Sequence, residues 1–161
     1  MVPLLRTGGL APPAGRAGPR MSAGQRRLTE LSREQSLRLL GSVSLGRVVF
    51  TQHAMPAIRL VNHILEGGDI MIRGHSGAAV VSAADGETGS VVAYEADAVS
   101  PCDHFGWSVV VTGIATLVRD VAEVARYQRA LNPWVTGEMD QVIRIRPEIV
   151  TGFRLSGGAR G

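Results

Sequence analysis

Polar and apolar residues alternate with a period of two along most of the chain. The stretches "GRVVFT" (46–51), "AIRLVNHIL" (57–65), "DIMIRG" (69–74), "GSVVAYEAD" (89–97) and "GWSVVVTGIATLVRD" (106–120) read as strands. The turn "EGG" joins the second to the third, and Gly113 marks a bend or bulge in the long fifth strand. Two further strands, "QVIRIRP" (141–147) and "IVTGFRL" (149–155), close the pattern. Helical spacing occurs twice. Ser32 followed by Gln35 is a capping-box pattern that starts a short amphipathic helix over 33–40, and "VAEVARYQRAL" (121–131) predicts a second, ended by "NPW". Short strands joined mainly by hairpins, with few helices, argue for a mainly β fold: an antiparallel barrel with peripheral helices.

Residues 1–28 break this pattern. They are rich in Pro, Gly, Ala and Arg without periodicity, and are expected to be a disordered tail, with Met21 offering a second start. The expected organisation is therefore a tail (1–28), one β-barrel domain (29–156) and a short C-terminal tail (157–161).

Composition narrows the function classes. No run of eighteen apolar residues occurs, so a membrane span is not expected. The single Cys102 excludes an internal disulfide and a thiolate zinc site, which suits a reducing cytoplasm. All 17 basic residues are arginine, but the net charge is only +3 and the arginines are scattered, which argues against nucleic-acid binding. His53, His63, His75 and His104 show no metal-ligand spacing. No P-loop, Rossmann or G-x-S-x-G motif occurs.

Candidate chemistry gathers in three places. Alternation puts Ile58, Leu60, Asn62 and Ile64 on one face of the second strand, and Ala57, Arg59, Val61 and His63 on the other. Asn62 is either a satisfied core amide or one facing a planar polar ligand. The third strand ends at Arg73 and runs into "GHSG" (Gly74, His75, Ser76, Gly77), which is either an anion cradle of backbone N–H groups beside an arginine fork, or only a polar turn. Trp107, with Ser108 beside it, is either a barrel core residue or a flat platform for a ring.

The segments "LLGSVSLGRVVFT", "PAIRLVNHILEGGDIMIR", "VVAYEAD", "GWSVVVTGIATLV" and "IRIRPEIVTGFRL" resemble, in order and spacing, the pyridoxamine 5′-phosphate oxidase-like family over about residues 30–155. The likeness is to small actinobacterial members related to nitroimidazole-resistance-type proteins. It implies a Greek-key-like FMN-binding split barrel, usually a homodimer with two FMN sites at the interface. It also implies an oxidoreductase acting on a small molecule. The ring would lie along Leu60, Val61, Asn62 and His63. The phosphate would sit near Gly74, His75 and Ser76, with Arg73 and Arg59 as its cations. Trp107 and Ser108 would line the pocket from the partner subunit. One departure stands out. Many members carry Thr-x-x-Gly-Ser-Lys at this turn, where this chain has Gly74, Gly77, Ala78 and Ala79. Losing one charge-assisted bond costs about 1.5–3 kcal/mol, roughly one to two decades of affinity. Two other expectations therefore stand beside FMN: a reductase using the deazaflavin coenzyme F420, and a non-catalytic binder of a flavin or another small ligand.

Overall fold

The computed structural model describes residues 26–131 and 139–157; the expectations for residues 1–25, for "NPW" and for residues 158–161 lie outside them. The chain forms strand β1 (Arg26–Leu31), helix α1 (Arg33–Leu40), β2 (Leu45–Gln52), β3 (Met55–Glu66) and β4 (Asp69–Gly74). There follow helix α2 (Ala79–Ala84), β5 (Ser90–Val99), β6 (Gly106–Leu117), helix α3 (Val121–Ala130) and β7 (Gln141–Gly157). Every strand pairing is antiparallel. The order β1-β7-β4-β3-β2-β5-β6 is closed by a β6–β7 pairing, so six strands make a ring and β1 is added outside on the end of β7. This is the split β-barrel, with helices at its periphery.

Alternation decides what faces inward. Val48 and Phe50 of β2, Val92 and Tyr94 of β5, Val109 and Val111 of β6, and Ile143 and Ile145 of β7 fill the interior with Ile70 and Ile72 of β4. Leu40 from α1 and Val80, Val81 and Ala84 from α2 complete that core. A second, smaller cluster of Met71, Val142, Val118, Tyr127 and Leu131 seats α3 on the outside of β4 and β7.

Two expectations are corrected. The segment 141–155 is one strand, not two: Pro147 pairs with Gly113 and Ile149 with Thr112, leaving Glu148 as an extra residue in a bulge. A proline lacks the ladder donor and is tolerated beside such an irregularity. Strand β1 begins three residues inside the segment read as tail; its residues are mostly exposed and polar, and main-chain pairing to β7 holds it. The small-residue stretch after Ser76, to which no element was assigned from the sequence, holds α2.

The outer surface is less polar than a one-sided barrel requires. Ile58, Val49, Ala93, Thr112 and Ile149 are successive cross-strand neighbours over five strands. Beside that row Leu60, Val91, Val110 and Phe153 are exposed as well. No helix among the described residues is long and apolar enough to cross a membrane.

Candidate functional site

The barrel parts along β3. His63 to Glu66 pair with β4, but residues 55–61 pair, among the described residues, only with β2, because β4 swings away to β7 and ends at Gly74. A cavity of about 380 Å³ fills the opening, within the range of small-molecule and cofactor sites. Arg59, Leu60 and Val61 line it from β3, Arg73 and Gly74 from β4, and His75, Gly77, Ala78, Ala79 and Val80 from the turn into α2. Gln52 and Met139 complete the wall.

The site residues expected from the sequence separate into two groups. Arg59, Leu60, Val61, Arg73, Gly74 and His75 meet at this cavity; Asn62, His63, Ser76, Trp107 and Ser108 do not line it. Asn62 lies in β3 opposite Leu45. His63 points into the barrel and is 2% exposed. Its Nε2 donates to the Leu40 carbonyl at 2.9 Å, and its Nδ1 accepts from the Tyr94 hydroxyl at 2.7 Å. Burial lowers its pKa, and the Leu40 carbonyl opposes that shift only in part. With both ring nitrogens engaged, the His63 side chain has nothing left to offer a ligand. Ser76 turns the other way and donates to Asp140 at 2.6 Å, a bond that helps hold the Asp140 carboxyl below its usual pKa. Trp107 is half-buried in β6, packed against the barrel core opposite Arg154; Ser108 faces Phe153.

The two arginines differ. Arg59 is exposed, donates from Nη1 to the Ile58 carbonyl at 2.8 Å, and lies 6.0 Å from the Phe50 ring centroid. Arg73 is half-buried and donates from all three guanidinium nitrogens to the carbonyls of Gln128, Leu131 and Met139. Burial lowers its pKa and Asp140 opposes that, but a guanidinium stays charged.

Sequence reading missed Gln52 and Met139. Gln52 ends β2, where nothing in the local pattern marks it. Met139 reaches the cavity through long-range bonds to Arg73, which no periodicity encodes. Among the described residues no group of His, Cys, Asp and Glu is arranged to hold a metal ion.

The comparisons agree with this architecture. The family described as pyridoxamine 5′-phosphate oxidase matches residues 32–154. The uncharacterised protein Rv0080 of Mycobacterium tuberculosis is 50% identical over 155 residues, covering 94% of this chain and 99% of that protein. Among solved structures, an FAD-binding protein of Mycobacterium smegmatis is 34% identical with a TM-score of 0.64, covering 80% of this chain and 99% of that one. A conserved protein of unknown function from Corynebacterium diphtheriae, DIP1874, is 28% identical, also with a TM-score of 0.64, over 80% and 98% of the two chains. With the match running from the start of α1 to the end of the barrel, the chain belongs to the pyridoxamine 5′-phosphate oxidase family.

Proposed function

We propose that this protein binds FMN in the opening beside β3 and works as a flavin-dependent oxidoreductase on a small molecule, as a homodimer. The observation that carries the reading is the cavity itself. It joins a strand edge with no partner among the described residues, an arginine with donors to spare and a turn of small residues, on a barrel shared with a relative that binds FAD.

The residues present fit a phosphorylated flavin. Arg59, Leu60 and Val61 of β3 bring their main chain to the cavity, suited to the polar edge of a planar ring. Val61, with Leu60 at the rim, gives that ring an apolar wall. Arg59 and His75 lie where a phosphate would meet the turn, and Gly77, Ala78 and Ala79 leave it room to approach the main chain. A bound flavin supplies hydride or electron transfer; the protein binds it, orients it and limits water at one face. Among the described residues, His75 is the one side chain in the cavity wall that could act as an acid or base. The apolar exterior running from Ile58 to Ile149 supports the homodimer, because Leu60 belongs to both that surface and the cavity rim.

The M. smegmatis relative makes FAD a second reading, since FAD repeats the ring and first phosphate of FMN. The test is retention: the protein is saturated separately with FMN, FAD and the deazaflavin coenzyme, desalted, and scanned in the visible range. The expected result is flavin absorbance co-eluting with protein after FMN, and weak retention of the deazaflavin. Because the turn lacks the family's lysine, FMN affinity should be roughly one to two decades below that of a lysine-bearing turn. A colourless protein after all three would overturn the proposal.

A further inference from the structure

Arg73 closes β4 and lines the cavity, yet its guanidinium is already committed. Nε and Nη2 donate to the Met139 carbonyl, and Nη1 to those of Gln128 and Leu131 at 3.1 and 3.0 Å. Gln128 and Leu131 lie at the C-terminal end of α3, where carbonyls lack intrahelical donors and a cation is favourable. Turning Arg73 towards a ligand would strip these half-buried carbonyls of their donors. Met139, on which two of its nitrogens converge, is itself a wall of the cavity. Arg59 is the opposite case: exposed, with one carbonyl bond to its own neighbour and no ion pair among the described residues.

We infer that the two cavity arginines divide the work: Arg59 supplies the cation for the ligand's phosphate, while Arg73 is a positioning residue that clamps the end of α3 and holds Met139 as cavity wall. This rests on the flavin reading above. A lysine at position 73 would keep the charge but could not span three carbonyls, because an ammonium lacks the planar fork. At position 59 a lysine would keep most of the function, since the phosphate chiefly needs charge.

The experiment compares FMN with riboflavin, which has the ring but no phosphate. Their dissociation constants are measured for the wild type and for Arg59→Gln, Arg59→Lys, Arg73→Gln and Arg73→Lys, beside thermal melts of each ligand-free protein. Arg59→Gln should cut the preference for FMN by roughly ten- to a hundredfold, and Arg59→Lys should retain most of it. Both Arg73 variants should weaken FMN and riboflavin by the same factor, about tenfold, so that their ratio stays at the wild-type value. They should also lower the melting temperature by roughly 5 °C, which Arg59→Gln should not do. Loss of the FMN preference in Arg73→Gln, or a wild-type melt and affinity in Arg73→Lys, would overturn the division. If the wild type retains neither flavin, the flavin reading and the role of Arg59 both fall. The ligand-free melt of Arg73→Lys then decides the clamp by itself.

Discussion

His63 shows how one side chain can be placed on the right strand face and still have a different task. Its ring lies edge-on to that of Tyr94, with centroids 5.2 Å apart, inside the barrel. The Leu40 carbonyl can only accept, so Nε2 carries the proton and Nδ1 must take the Tyr94 hydroxyl. Burial raises the Tyr94 pKa, keeping that hydroxyl a donor. Gly46 leaves the space: a Cβ there would sit 2.4 Å from the Tyr94 oxygen. The lowered pKa of His63 has a definite consequence for stability. The unfolded chain takes up its proton near the ordinary histidine value of about 6.5, while the folded protein resists protonation to lower pH. The contribution is therefore complete above that value and is lost as pH falls from it through the folded pKa. Urea unfolding at steps between pH 8 and pH 5 should show stability falling across this window, well above the carboxylate range, and His63→Gln should flatten the slope. An equal slope in that variant would assign the effect elsewhere. Tyr94→Phe leaves a buried acceptor without its donor and should cost about 1–3 kcal/mol at pH 8.

At the scale of elements, α1 shows the closest agreement between pattern and structure. Ser32 Oγ accepts from the Gln35 amide and Gln35 Oε1 from the Ser32 amide, closing the capping box that the two residue types announce. What seats the helix could not be read so easily. Arg33 donates to the Pro147 and Glu148 carbonyls at the β7 bulge, and buried Ser36 packs on Gly152, where an added Cβ would stand 2.2 Å from the Ser36 oxygen. Gly152→Ala should therefore push α1 off β7 and cost roughly 1–3 kcal/mol in chemical denaturation, a typical overpacking loss. A neutral result would mean that α1 shifts freely. Local alternation made β2, β5 and β6 legible, because each buries one face in the barrel; β4 was legible as a short apolar run, buried on both faces, and β3 chiefly from its turns. β1 was not, since "RRLTEL" has no buried face and depends on pairing with residues more than 120 positions away. Pro147 looked like a strand end because a proline normally interrupts a ladder; the bulge opposite Gly113 absorbs it. The site follows the same division. Arg59 to Val61 and Arg73 to His75 are neighbours in sequence around one hairpin, and the fold brings them together. The partners of His63, Ser76 and Arg73 come from positions 31, 64 and up to 66 residues away, so their commitments were not visible along the chain.

The whole molecule joins its cavity to its apolar exterior. Leu60 is 65% exposed, lines the cavity, and is the cross-strand neighbour of Arg47, which pairs with Glu95 and Asp97 at 2.7 and 2.9 Å. On the same outer face Ile58, Val91, Val110, Ile149 and Phe153 are exposed too, an apolar surface interrupted by that ionic group. A second copy related by a two-fold axis would cover it with the same surface, as most homodimers do. It would reach the cavity rim through Leu60, so dimerisation and ligand retention should be coupled. Arg47 would then lose water on assembly with its charge paired, while Glu95 and Asp97 together leave that group one net negative charge to be met at the seam or kept at its wet rim. Sedimentation of the wild type should report a dimer. Replacing Ile58 and Ile149 together with glutamate should raise its dissociation constant at least about a hundredfold, since two apolar anchors become charges facing their own copies. The same double variant should still unfold cooperatively, because both side chains lie outside the core, yet should release FMN faster than the wild type. Monomers that hold FMN as tightly as the parent protein would separate the cavity from the interface. A wild type that sediments as a single chain would remove the dimer, and leave the exterior to be explained by some other contact.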